Sequence, residues 1–230
     1  MGYLEQGASR EYRLGLRVTD LGMSALHCVG LREHSRPYLE ELCRCSSYTV
    51  NLAVLHGPEI LYVERVRSVR CEQSEIDLGL VVGSRLPAYC TSMGKLLLAC
   101  LPWPEQHELM ADMKLVRQGP NTITSKKSLR LELERVREVG FAVNEEELVA
   151  GLYSIAAPVR DGTGEAVAAV NMAAHASVIS LKEFVEHLGP HLVSTADRIS
   201  ARLGYHGDDE LHMGGQCDAG RPENRSEEGK

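Results

Sequence analysis

Residues 151–174 read GLYSIAAPVRDGTGEAVAAVNMAA, two runs of β-branched and small apolar residues, Leu152 to Val159 and Ala166 to Ala173, on either side of Arg160-Asp161-Gly162-Thr163-Gly164. Asp-Gly and Thr-Gly steps between such runs predict a hairpin, and a hairpin makes its two strands antiparallel. Phe141 to Asn144 adds a short strand just upstream. A second group of strand-like stretches lies earlier, at Thr49 to Leu55, Ile60 to Val66 and Glu72 to Leu80, with His56-Gly57-Pro58 as the first turn. Connections this short leave no room for a helical crossover, so this group is read as antiparallel too.

Around the two groups the apolar period lengthens to that of a helix. From Val18 to Cys45 the positions Leu21, Ala25, Leu26, Val29, Leu39 and Leu42 recur at helical steps, with Thr19 or Asp20 as cap. One helix, or two with a break near Ser35-Arg36-Pro37, satisfies that pattern. Leu86 to Tyr89 is read as a loop. Helices are expected over Ser92–Cys100, from about Pro104, over Ser125–Glu138 with Gly140 as its stop, and over Ser180–Leu203 with a kink or break at Gly189-Pro190. At the start, Tyr12, Leu14 and Leu16 alternate with Arg13, Gly15 and Arg17 after a turn-like Gln6 to Ser9, as in the last strand of a hairpin. The order is helix, three strands, helices, three strands, helix. It predicts an α+β fold with one antiparallel six-stranded sheet flanked by helices.

A chain of 230 residues with 43% hydrophobic and 25% charged residues, 21 glycines and 9 prolines is globular, which excludes collagen, coiled-coil rods and wholly disordered chains. The net charge is −7, and the segment Tyr205–Lys230, with seven acids and three bases, carries −4 of it. That segment is too polar to bury and is expected to be a disordered tail. The body has no basic excess, so duplex-DNA binding by this chain alone is not expected. No run approaches the roughly 18–20 apolar residues of a membrane span, nor does the N-terminus read as a secretion signal, so a cytoplasmic protein is expected. Cys28, Cys43, Cys45, Cys71, Cys90, Cys100 and Cys217 show no zinc-ligand spacing and are read as reduced thiols, with neither metal nor cofactor.

Chemistry concentrates in Leu86-Pro87-Ala88-Tyr89-Cys90-Thr91-Ser92-Met93-Gly94-Lys95, a loop of small and hydroxyl residues opening an apolar helix. Such a junction suits a carboxylate, although Thr91 and Ser92 acting only as caps would use the same donors. Asn144-Glu145-Glu146-Glu147 followed by Gly151-Leu152-Tyr153-Ser154 is read as a solvated acidic loop rather than a metal or acid–base centre. Asn144 and Ser154 suit ligand orientation better than proton transfer. Phosphate-loop, dinucleotide, serine-hydrolase and zinc-protease motifs are absent from the sequence. Cys90 could act as a nucleophile if the helix N-terminus lowered its pKa, but no base is placed beside it.

The stretches GSRLPAYCTSMGKLLLA, REVGFAVNEEELVAGLYSIAAPVRDGTGEAVAAVNMAA and EYRLGLRVTDLG together resemble IclR-type bacterial transcription regulators from about Tyr3 to Leu203. LPAYCTSMGK is most similar to the regulators of protocatechuate, 4-hydroxybenzoate and β-ketoadipate catabolism. The resemblance implies a GAF-like effector-binding domain, not an enzyme, working as a homodimer or tetramer, with operator DNA bound by an N-terminal winged helix-turn-helix. Only the last wing hairpin of that domain is matched here, which implies a fragment or an internal methionine start. The implied division is a wing remnant over 1–17, a linker helix over 18–34, the effector domain over 35–204 and the tail over 205–230.

A small organic acid is implied as effector, and the positions carried over to line its cavity are Leu86, Ser92, Met93, Asn144, Ser154, Asn171 and Ala173, with Tyr89 able to stack or hydrogen-bond. Relatives that bind small keto acids carry Gly-Ala at Ser92-Met93, aspartate at Asn144, cysteine at Ser154 and serines at Asn171 and Ala173. Losing the aspartate lowers the penalty for an anion, and apolar walls at Met93 and Ala173 would suit an aromatic acid. Arg65, Arg67 and Arg70 could pair a distal carboxylate, although surface exposure is the favoured reading. The competing expectations are a GAF-like enzyme using Cys90, discriminated by fast alkylation at neutral pH, and a ligand-free pairing domain.

Overall fold

The structure, a computed structural model, describes residues 4–6, 11–14, 30–68 and 78–207. Two short strands, β1 (Leu4–Gln6) and β2 (Tyr12–Leu14), pair antiparallel as a separate hairpin. The main body runs α1 (Leu31–Ser46), β3 (Thr49–His56), β4 (Glu59–Val66), β5 (Arg85–Pro87), α2 (Ser92–Cys100), α3 (Trp103–Asp112), α4 (Lys126–Val139), β6 (Ala142–Glu145), β7 (Leu152–Arg160), β8 (Ala166–His175) and α5 (Leu181–Arg202). Its six strands form one sheet in the order β5-β4-β3-β8-β7-β6, with every neighbouring pair antiparallel. The two strand groups of the sequence therefore meet at β3 and β8, in the middle of the sheet.

Alternation sorts the strand residues between two layers. Ala53, Ile60, Tyr62, Ala142, Ala156 and Ala169 join Met93, Leu96 and Leu97 of α2 and Leu129, Leu133 and Val136 of α4 in one core. Val50, Leu52, Ile155, Val170 and Met172 face the other way, onto Leu39 and Leu42 of α1 and Phe184, Leu192 and Ile199 of α5. Helix α2 is buried on every side from Ser92 to Ala99. Gly94 lets it in, because a Cβ there would stand 2.2 Å from the carbonyl oxygen of Ala88, in the 3-10 turn that precedes the helix.

Neither Pro37, the break point in one of the two readings, nor Pro190, read as a kink or break, interrupts its helix among the described residues. α1 passes through Pro37 and α5 through Pro190. Both prolines are exposed, as are Glu33 and Glu186 four residues before them, so water can reach the carbonyls that lose their helical donors. A capping box at Ser180 and Glu183 starts α5. Cys43 is buried and Cys45 exposed, on different faces of α1. The third strand of the first group is also displaced. The expected Glu72 to Leu80 lies largely outside the described residues, and Leu78 to Leu80 are not a strand. Arg85–Pro87, which overlaps the Leu86-to-Tyr89 stretch read as a loop, pairs with β4 instead, after a tight turn in which Ser84 N–H bonds Val81 O and Gly83 takes φ 93°. Pro87 is tolerated there because β5 is the sheet edge. The tail after residue 207 lies outside the described residues.

Candidate functional site

Cross-strand register gathers polar residues at one end of the sheet, on the α2 side. Asn51 on β3 stands opposite Arg65 on one side and Asn171 on the other, while Ser154 stands between Ala173 and Asn144. Together they floor a small cavity of about 40 Å³, partly open to solvent. Thr91 and the leucines Leu78, Leu80, Leu148 and Leu152 wall it, and Tyr62 closes the β4 side.

A relay crosses the floor. Arg65 Nη1 donates to Asn51 Oδ1 at 2.7 Å, and Asn51 Nδ2 donates to Asn171 Oδ1 at 2.8 Å. Asn171 Nδ2 makes no hydrogen bond among the described residues and is left for the cavity. Ser92 and Ser154 share one hydrogen bond, Oγ to Oγ at 2.8 Å, so one of the two hydroxyl protons stays available. Among the described residues one guanidinium and no carboxylate line the cavity. Both facts favour an anion.

The eight residues singled out from the sequence do not all converge. Asn144, Ser154, Asn171 and Ala173 line the cavity, and Ser92 reaches it through Ser154. Asn144 uses both ends of its amide internally. Its Nδ2 donates to Cys90 O at 2.6 Å and its Oδ1 accepts from Glu147 N–H, tying the turn before α2 to the β6–β7 loop. Met93 is not a cavity wall: it is fully buried in the core, because α2 has no exposed side. Leu86 sits on β5, half-buried against the same core. Tyr89 spends its hydroxyl on Val116 O at 2.6 Å. Thr91 is the helix cap, accepting from Gly94 N–H at 3.1 Å.

Two polar lining residues, Asn51 and Tyr62, escape the sequence reading, and Arg65 enters it only as one of three arginines that could pair a carboxylate. Arg65 was favoured as a surface residue; it lines the cavity, while Arg67 is exposed and Arg70 lies outside the described residues. The cause is a bulge between Leu52 and Ala53. Leu52 faces Glu64 and Ala53 faces Tyr62, so Val63 is the extra residue and Tyr62 and Arg65, three apart, come to one face.

The acidic run is not a solvated loop throughout. Glu147 is buried and, with Glu132 of α4, holds the ammonium of Lys95, itself 1% exposed. A lysine in the apolar run SMGKLLLAC was the signal, since a buried ammonium requires a carboxylate. Burial also pushes the Cys90 thiol up to about 12, the opposite of an activated nucleophile. Among the described residues no group of three or more His, Cys, Asp or Glu could hold a metal ion, and no helix is long and apolar enough to cross a membrane.

Known proteins share this architecture. The chain is 34% identical to the Pca regulon regulatory protein of Pseudomonas putida over 194 residues, covering 84% of this chain and 66% of that protein. The inducer-binding domain of the PobR transcription factor from Acinetobacter, a double mutant in complex with 3-hydroxybenzoic acid, superposes with a TM-score of 0.67 at 30% identity, covering 72% of this chain and 95% of that one. An IclR homolog from Microbacterium hydrocarbonoxydans complexed with 4-hydroxybenzoate superposes with a TM-score of 0.72 at 28% identity, covering 88% and 80%. The family model described as "Bacterial transcriptional regulator IclR C-terminal" matches residues 23–201. The chain belongs to the IclR family of bacterial transcriptional regulators, and what folds here is the effector-binding domain of that family.

Proposed function

We propose that the cavity binds a small organic acid, an aromatic-ring or six-carbon carboxylate of the kind met in aromatic catabolism, and that its occupancy controls operator binding by a winged helix-turn-helix in a cytoplasmic homo-oligomer. The observation that carries this reading is the lining itself: Arg65, the Asn171 amide and the Ser92–Ser154 hydroxyl pair, with leucine walls and no acid among the described residues. A carboxylate meets donors there, and a ring or methylene chain meets Leu78, Leu80, Leu148 and Leu152. Hydroxybenzoates bound to two structural neighbours support the aromatic class. The division into wing remnant (1–17), linker helix (18–34), effector domain (35–204) and tail belongs to this reading. The β1–β2 hairpin supports its first part, and α1 runs unbroken across the boundary at 35.

Coupling would begin at Asn144. A ligand on the cavity floor contacts the side chain that joins the Cys90 turn to the Glu147 loop, so it can favour one arrangement of that junction. The shift is limited by the ligand's differential affinity for the two arrangements, about 1–3 kcal/mol in typical allosteric coupling.

Thermal unfolding with protocatechuate, 4-hydroxybenzoate, β-ketoadipate, muconate, pyruvate and glyoxylate tests the reading. A ligand at 100 times its Kd adds about 2.7 kcal/mol to the folded state, which raises Tm by roughly 5–10 °C in a domain of this size. An increase with an aromatic or six-carbon acid, lost in Asn171→Leu, is expected. No increase with any acid would remove the anion reading.

A further inference from the structure

We propose that Tyr62 selects the effector's second oxygen function: its phenol donates to a hydroxyl, keto or second carboxylate oxygen, so the cavity prefers acids carrying such a group over plain monocarboxylates. The inference rests on the reading of the cavity as an organic-acid site and narrows the class of acid.

Two buried tyrosines on the α2 side of the sheet make the contrast. Each is 4% exposed, and each belongs to the same apolar core. Tyr89 satisfies its hydroxyl on a backbone carbonyl, Val116 O. Tyr62 lines the cavity, and its hydroxyl has no hydrogen-bond partner among the described residues. The Tyr62 hydroxyl is not among the fully buried, unpartnered side-chain atoms of the described residues, so it keeps accessible surface from which to meet a ligand, whereas Phe would offer the cavity no donor. Burial pushes the Tyr62 phenol up to about 12, so at neutral pH it keeps its proton and offers it as a donor.

The side chain reaches this position through an irregularity in β4. With regular alternation Tyr62 and Arg65 would point to opposite faces; the extra residue Val63 brings both to the cavity. Arg65 is bonded into the relay through Asn51 to Asn171, which fixes the cationic end. The phenol is then a second, separate polar group on an otherwise leucine-lined wall. A site that must hydrogen-bond a ligand group discriminates strongly against the analogue lacking it, because the protein's buried partner is left unpaired.

The test is isothermal titration of the full chain with two matched pairs, 4-hydroxybenzoate against benzoate and β-ketoadipate against adipate, for the wild type and Tyr62→Phe. In the wild type the oxygen-bearing member of a pair is expected to bind at least tenfold tighter. In Tyr62→Phe that preference collapses to within about twofold, the plain acid keeps its affinity, and Tm without ligand is unchanged or higher. Equal weakening of both members would overturn the inference, since the phenol would then serve the shared carboxylate. So would an unchanged preference, or a fall in Tm that marks a structural hydroxyl. If the wild type bound none of the four acids, the organic-acid reading itself would fail, an outcome distinct from binding without Tyr62-dependent preference.

Discussion

Two polar clusters interrupt the same apolar layer between the sheet and α2, and they are built in opposite ways. At the cavity, Arg65, Asn51 and Asn171 form a directed relay that ends on an amide with its N–H groups unused, beside a hydroxyl pair with one spare proton. At the other cluster, Lys95 sits between Glu132 and Glu147, and the spare atom is an acceptor, Glu147 Oε2, buried and without a hydrogen-bond partner among the described residues. Spare donors around a guanidinium favour an anionic guest. A spare carboxylate oxygen beside Lys95 can only accept a hydrogen bond and repels an anion, so this cluster has nothing to hold an organic acid. Burial alone therefore does not separate a binding site from a fold element; the sign and number of unused hydrogen-bonding groups do.

The largest effect is expected where the cluster is a fold element. Lys95→Met leaves the buried Glu147 carboxyl without its ammonium, and breaking a buried pair in this way costs about 3–5 kcal/mol. Denaturant unfolding should show a midpoint lowered accordingly. Adding Glu147→Leu should recover most of the loss, because an apolar pair of similar volume replaces the ion pair. A single mutant as stable as wild type would mean that the cluster is not holding α2 to the β6–β7 loop.

The converse holds at the cavity. Asn171→Asp keeps the oxygen that accepts from Asn51 but places a carboxylate on the cavity floor. Stability should change little, whereas affinity for an organic acid should fall at least tenfold, about 1.4 kcal/mol. Titration of any acid found in the thermal screen gives the affinity, and an unfolding curve gives the stability. A variant that loses stability and keeps affinity would reverse the assignment of the two clusters.

Much of this was legible in the sequence, for reasons that also explain the remainder. β7 and β8 follow from alternation around Asp161-Gly162, and α4 from its period between Ser125 and Gly140, because local patterns specify them. β5 escaped because three residues including a proline have no strand pattern; pairing with β4 makes them a strand. Asn144, Ser154, Asn171 and Ala173 come from the family resemblance, and the register of β6, β7 and β8 brings them to one cavity. Tyr62 and Arg65 were not placed on one face, because one bulged residue reverses the face of everything beyond it, and a bulge leaves no mark in the sequence of β4. Met93, carried over by resemblance, does not line this cavity, because every side of α2 is packed into the core.

The smallest effect is a titration, and it separates the clusters most finely. Glu147 and Glu132 share one ammonium yet move to opposite sides of the ordinary value of 4.5. For Glu147, burial raises the carboxyl more than the charge and hydrogen bond of Lys95 lower it. The folded chain then holds that proton to higher pH than the unfolded chain, so the associated stability is present below 4.5 and is lost as pH rises through the folded value. For Glu132, burial also acts upward, but hydrogen bonding from Arg135 and the charge of Lys95 outweigh it. Its contribution is present above 4.5 and is lost as pH falls through its folded value. The two slopes have opposite signs in different windows, Glu132 below 4.5 and Glu147 above it, so together they place a stability maximum near 4.5, and carbon-detected NMR of the side-chain carboxyls assigns each side of it. Glu147 should titrate above 4.5 and Glu132 below it, with both shifted upward in Lys95→Met. Two carboxyls titrating together at 4.5 would mean that water reaches the cluster, and Lys95 would then be no more a fold element than the donors lining the cavity.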